Sequence, residues 1–193
     1  MSTDAVAVRE WEGTTIPPAG AYQLDPAHTR VGFVVKHMMV SKVRGNFGAF
    51  DASITIGENP LESALSATVQ MDSVLTGQEA RDNHLRTGDF FEIEKHPTMT
   101  YRSTGVASHS GTTFTLAGEL TIKGVTRSVE LAVELEGVTT SPFTGKPMFG
   151  FTATAEINRE DFGLTYNQAL ETGGVMIGKH VKIEIEGEAA LAG

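Results

Sequence analysis

From Ala21 onward the chain alternates apolar and polar residues with a period of two, the spacing at which successive β-strand side chains point to opposite faces. In 29–38, Val31, Phe33, Val35 and His37 share one parity, and Arg30, Gly32, Val34, Lys36 and Met38 the other. Phe50, Ala52, Ile54 and Ile56 alternate with polar residues next, followed by Leu65, Ala67, Val69 and Met71. After a strand-like stretch at 98–107, the pattern returns in Phe114, Leu116, Gly118, Leu120 and Ile122, then in Val129, Leu131, Val133 and Leu135. Phe149, Phe151, Ala153, Ala155 and Ile157 follow, and Val181, Ile183 and Ile185 end the series. These segments predict about eight half-buried strands.

Consecutive alternating strands with one apolar face predict antiparallel neighbours, either stacked as a sandwich or closed into a barrel. Strand length and the internal glycines Gly45, Gly48, Gly118 and Gly150 favour the barrel, because glycine within a strand marks a bend where a sheet curls. A barrel of about eight strands is either filled by its own side chains or holds one small ligand. The small inward residues Ala52, Ala67, Gly118, Ala153 and Ala155 leave room in such a lumen.

Two segments break the β-rhythm. Residues 78–86 (QEARDNHLR) are good helix formers bounded by Gly77 and Gly88. Helical spacing puts Arg81, His84 and Leu85 on one face and pairs Asp82 with Arg86 on another, so a short polar helix is expected at the barrel rim. Residues 161–178, with Gly163, Gly173, Gly174 and Gly178, are expected to form another part of the mouth. Residues 1–20 lack a sustained period and end in Ile16-Pro17-Pro18-Ala19-Gly20, which predicts a flexible arm with Trp11 as a contact point.

Composition narrows the function. The 193 residues carry 15 Lys and Arg against 24 Asp and Glu, a net charge of −9. Phosphate binding through counterion release needs a basic surface, so nucleic acid is not expected as a partner. Polybasic adsorption to an anionic membrane is disfavoured for the same reason, and only local basic clusters could hold an anion. With no Cys there are no disulfides, thiolate metal sites or Cys nucleophiles. Residues 1–13 lack the basic start and apolar run of a secretory signal, and Lys36 and His37 interrupt the apolar stretch at 31–40. The expectation is a cytoplasmic protein without stable membrane insertion.

Among candidate groups, Arg81, His84 and Arg86 form the one compact basic cluster, either an anion site or a solvated helix face. His37 has inward parity near a strand end; it is either a satisfied rim histidine or a polar tooth that orients a ligand head in an apolar pocket. Asp25-Pro26-Ala27-His28 reads as a turn whose side chains cap the backbone. The six histidines show neither His-x-His nor His-Glu-x-x-His spacing, so no metal site is expected. No Gly-x-Ser-x-Gly elbow, phosphate loop or dinucleotide fingerprint occurs, so no catalytic residues or cofactor are assigned.

The residues Tyr22-x-Leu24-Asp25-x-x-His28-Thr29-x-Val31-x-Phe33-x-Val35-x-His37, then Gly45-x-Phe47-Gly48 and Arg81-Asp82-x-His84-Leu85-Arg86-x-x-x-Phe90-Phe91, resemble the YceI-like family of bacterial lipocalin-like polyisoprenoid-binding proteins. The resemblance continues through Gly118-x-Leu120-Thr121-Ile122-x-Gly124-Val125-Thr126-Arg127-x-Val129 and Ile157-Asn158-Arg159-x-Asp161-Phe162-Gly163-Leu164 to Val175-x-Ile177-Gly178. It implies an extended eight-stranded antiparallel lipocalin-like barrel over 21–190, enclosing a long cavity for an isoprenoid lipid, and also a homodimer. Many members of that family carry secretion signals, which residues 1–13 do not resemble.

On this reading the tail is lined by Val31, Phe33, Val35, Ile54, Val69, Met71, Leu85, Phe90, Phe114, Leu116, Leu131, Phe151 and Ile183. The head group, a diphosphate or a quinone, faces Arg81, His84, Arg86 and His37. Each buried CH₂ contributes about 0.8 kcal/mol, so a few isoprene units could supply the roughly 8 kcal/mol of micromolar binding. An enzyme acting on a lipid in the cavity, a fatty-acid or amide carrier, and a barrel with a filled core are the alternatives.

Overall fold

The computed structural model describes residues 8–193. Its barrel has eight staves, two of which are broken into collinear pieces. The first consists of β3 (Gly20–Leu24) and β4 (Arg30–His37), separated by a 3₁₀ turn at Pro26–His28. Asp25 caps that turn by accepting from the Ala27 N–H, and its other carboxylate oxygen lies 2.8 Å from His28 Nδ1, the capping role predicted for this motif. The second stave joins β5 (Ser41–Phe47) to β6 (Phe50–Ile56) through a bend at Gly48-Ala49. The others are β7 (Ala64–Gln70), β9 (Thr98–Ser110), β10 (Thr113–Ile122), β11 (Val125–Thr140), β12 (Pro147–Asn158) and β13 (Ile177–Leu191).

All pairings around the ring are antiparallel. β12 and β13 pair from Met148↔Ala190 to Asn158↔His180, and β13 reaches both halves of the first stave, β4 at 177–186 and β3 at 189–191. That double engagement closes the barrel. A two-residue strand, β8 (Val74–Leu75), pairs with β5 beside α1 (Glu79–Arg86), the expected rim helix.

Strand pieces 29–38 and 50–56 therefore belong to longer, interrupted staves. The partner piece β5 gives a weak signal because Gly45 interrupts its apolar parity. Gly45 is opposite Phe33, whose ring occupies the position a Cβ would take, and Gly118 lies under the ring of Tyr101 in the same way. The space read at Gly118 is thus filled by a neighbouring strand's aromatic ring.

The N-terminal segment departs from a loose arm. β1 (Arg9–Trp11) and β2 (Thr14–Ile16) form a hairpin with Thr14 and Ile16 buried. Arg9 fixes it by donating to the carbonyls of Pro17, Gly57 and Glu58, and Trp11 packs against the rings of His109 and Phe114 at 4.5 and 6.2 Å. Strands of three residues are too short to show a period. The part of the predicted arm in 1–7 lies outside the described residues.

Candidate functional site

The inward faces of the strands do not meet across the barrel. They surround a cavity of about 700 Å³, inside the ~300–1,000 Å³ range of small-molecule sites. Val31, Phe33, Val35, Ile54, Phe151 and Ile183 have inward parity yet are only half-buried, because their tips border this open lumen. Val69, Leu85, Phe90, Phe114, Leu116 and Leu131 also line it, as do the small residues Ala52, Ala67 and Ala153. Met71 does not. The strand ends at Gln70 and Met71 begins a 3₁₀ turn, so the period of two breaks and its side chain, 2% exposed, packs with Phe47, Val69 and Val74.

One end of the cavity is covered by the N-terminal hairpin, with Ile16 and Pro17 on the wall beside Pro60. Polar groups gather at the opposite end, where Arg81 and His84 of α1 line the cavity with His37 of β4. Helical spacing places Ala80, Arg81, His84 and Leu85 together on the lumen side. Arg86 lies elsewhere: it donates to the carbonyls of Asp72 and Val74 and to Asn83 Oδ1, and it lines an outer groove with Arg30 and Arg44. The predicted Asp82–Arg86 pair does not form, because buried Asp82 accepts from both the N–H and the hydroxyl of Thr76.

Thr76 also orients Arg81, whose Nε donates to its hydroxyl at 2.7 Å and whose Nη2 donates to its carbonyl at 2.8 Å. With no carboxylate in ion-pair range among the described residues, the remaining guanidinium N–H groups of Arg81 are available to an acceptor in the cavity mouth. His84 Nε2 lies 2.8 Å from Asp89 Oδ2. A carboxylate only accepts, so this nitrogen carries the proton and Nδ1 is the second polar atom of the ring.

Sequence reasoning did not single out Tyr166 or Gln168 and named Arg159 only within the family motif, yet all three also line the cavity. The rings of His84, Phe90 and Tyr166 meet in a three-way cluster with centroids 4.9–5.2 Å apart, and Gln168 Nε2 donates to Tyr166 Oη. Tyr166 and Gln168 come from 161–178, the segment expected at the mouth. Asn167 ties that segment to β13, donating to the Ile177 carbonyl and accepting from its N–H. Arg159, 4% exposed, donates to the carbonyls of Leu164, Ile177 and Gly178, and burial pushes its pKa down while Glu160 opposes the shift. No sequence signal marks Tyr166 or Gln168, because their partners are distant in the chain.

The fold and the cavity define a class: closed lipocalin-like barrels with a long apolar lumen and a polar mouth at one end. A model of the YceI-like domain matches residues 22–189, and the chain belongs to the YceI-like family. The UPF0312 proteins SA2479 and SAV2687 of Staphylococcus aureus are each 40% identical over 172 residues, spanning 89% of this chain and 98% of theirs. Among solved structures, the Campylobacter jejuni YceI protein is 32% identical with a TM-score of 0.70, covering 82% of this chain and 90% of that one. Burkholderia cenocepacia BcnA is similar in fold, at 21% identity and a TM-score of 0.74, over 86% of this chain and 98% of that one. A polyisoprenoid-binding domain from Saccharophagus degradans shares the fold at 17% identity and a TM-score of 0.64, over 89% of this chain and 98% of its own.

Proposed function

We propose that this protein binds a long apolar isoprenoid lipid in the barrel cavity, for transport, storage or sequestration. The observation that carries the reading is the lumen, where inward-facing aliphatic and aromatic residues have no partner across the barrel and leave about 700 Å³ open. An interior of this kind loses dispersion contacts unless an apolar molecule fills it. Burial of the tail sets affinity at about 0.8 kcal/mol per CH₂. The mouth then selects the head: Arg81 offers free donors to a diphosphate or a quinone oxygen, and His84, whose Nε2–H is held by Asp89, donates through Nδ1 when its ring is protonated, with His37 beside it.

The net charge of −9 opposes a diphosphate at long range, but screening confines that effect to roughly 8 Å, and the local groups decide. The fold shared with the Saccharophagus degradans domain supports the isoprenoid tail over an unrelated apolar guest.

The test is mass spectrometry of an organic extract from protein purified without added lipid. A prenyl species at near-equal stoichiometry is expected. A clean extract, together with failure to take up any added prenyl lipid, overturns the reading.

A further inference from the structure

The β4–β5 hairpin ends at the cavity mouth in the turn Met38-Met39-Val40, which connects His37 to Ser41. This turn is apolar and open to solvent, with exposures of 43, 57 and 87%. Non-glycine residues seldom adopt positive φ, yet Met38 and Met39 do so at 50° and 62°, which turns two large thioether side chains outward at a tip. The tip is braced against the mouth segment, since the Met38 N–H donates to the Met176 carbonyl at 2.7 Å and Met39 approaches Gly174. Inside the same hairpin end, His37 and Lys36 line the cavity.

Charge is distributed unevenly around this tip. Although the chain is net −9, residues 26–50 hold Arg30, Lys36, Lys42 and Arg44 and no Asp or Glu. Lys36 and Lys42 face each other across the hairpin, two residues from the turn on either side, and neither has an ion-pair partner among the described residues. Arg44 meets Glu184, which Lys182 also contacts, and Arg30 and Arg44 share their outer groove with Arg86. Phe143, 95% exposed, is a single residue at the far end of the barrel, where β12 begins.

We infer that the β4–β5 hairpin is the surface by which the protein touches an anionic lipid bilayer, with Met38, Met39 and Val40 dipping among the head groups and Lys36 and Lys42 meeting their phosphates. An apolar tip flanked by unpaired cations matches the chemistry of such an interface: acyl boundary at the centre, negative charge at the rim. The contact sets the cavity mouth against the membrane, where an apolar cargo can pass without crossing water. The inference rests on the lipid-cavity reading for its purpose, and its test lets the two fail separately.

Sedimentation with vesicles of phosphatidylcholine, or of equal parts phosphatidylcholine and phosphatidylglycerol, reads the contact without cargo. Wild type is expected to partition onto the anionic vesicles in preference to the neutral ones, and less so as salt rises. Met39→Ser with Val40→Ser should lower partition at least about tenfold, through lost apolar burial. Lys42→Gln should lower it about fivefold on anionic vesicles and leave neutral ones unchanged. Both variants should bind a detergent-solubilised prenyl ligand as wild type does, because these positions lie outside the cavity lining.

Equal partition of wild type on both vesicle types, or unchanged partition of the tip variant, overturns the inference. So does a dimer in sedimentation velocity that the tip variant loses, which would assign the tip to a second copy of this chain. Vesicle binding by a protein that takes up no prenyl ligand leaves the docking surface standing and removes the cargo reading instead.

Discussion

The phenol ring of Tyr101 lies across Gly118, in the position that a side chain there would need. Its hydroxyl is within hydrogen-bond range of the Leu116 and Val129 carbonyls, at 3.1 and 3.0 Å, so one strand's side chain is latched to the backbone of the next two. Gly118→Ala should therefore destabilise the barrel by about 1–3 kcal/mol, through overpacking against this ring. Tyr101→Phe, which keeps the ring and removes the latch, should cost about 1 kcal/mol. Urea midpoints measure both: wild-type stability in Gly118→Ala would refute the close approach of the ring, and wild-type stability in Tyr101→Phe would refute the latch.

The same tyrosine predicts an alkaline limit. Burial, with a smaller contribution from Glu130, pushes its pKa up from 10.0 to about 12. The fold thus holds the neutral form, and the associated stability is intact below pH 10 and lost as pH rises from there towards 12. Tyr101→Phe should flatten this part of the stability–pH curve, measured by urea unfolding at successive alkaline pH values.

Arg81→Ala and His84→Ala separate the two candidate heads. Loss of a hydrogen bond to a charged group costs about 1.5–3 kcal/mol, so each change should weaken prenyl diphosphate binding tenfold or more and affect a quinone less. Titration against both ligands is the measurement. Unchanged diphosphate affinity in both variants would remove the cationic rim from the reading.

Arg159 holds three carbonyls around the mouth segment. Arg159→Leu should cost about 3 kcal/mol, because it leaves buried acceptors without donors, and Arg159→Lys should not restore stability, since a single ammonium lacks the fork that reaches all three. Thermal unfolding checks the first, and hydrogen exchange at Leu164 and Gly178 locates the loosening. Full stability in the lysine variant would contradict the fork argument.

The turn between the two halves of the first stave should respond to acid and to base. The hydrogen bond to Asp25 raises the His28 pKa above 6.5, helped by the charges of Asp25 and Glu188, and the reciprocal hydrogen bond lowers Asp25 below 3.8. The histidine contribution is present below pH 6.5 and lost as pH rises through its raised pKa. The aspartate contribution is present above pH 3.8 and lost as pH falls through its lowered pKa. The pair should hold best between those limits, and an NMR titration of His28 in wild type and Asp25→Asn should show the histidine pKa falling in the variant.

Much of this architecture is legible in the chain because burial on one face of a strand forces a period of two. The eight-stave count and the inward strand positions from Val31 to Ile183 follow from that constraint, and the short helix from a run of helix formers between Gly77 and Gly88. What escapes the sequence depends on contacts made across space. Asp82 and Arg86 stand at helical pairing distance, yet Thr76 captures the first and two backbone carbonyls the second. Met71 leaves the lumen because a 3₁₀ turn replaces the last strand position. Tyr166 meets His84 and Phe90 only once the barrel has brought an irregular segment over the rim helix.

β13 pairs with β12, β3 and β4 at once and is the last of the barrel strands in chain order. During synthesis, every earlier stave can emerge from the ribosome and find a neighbour while the ring stays open along one seam. No sealed lumen exists until the chain beyond Ile177 has been released.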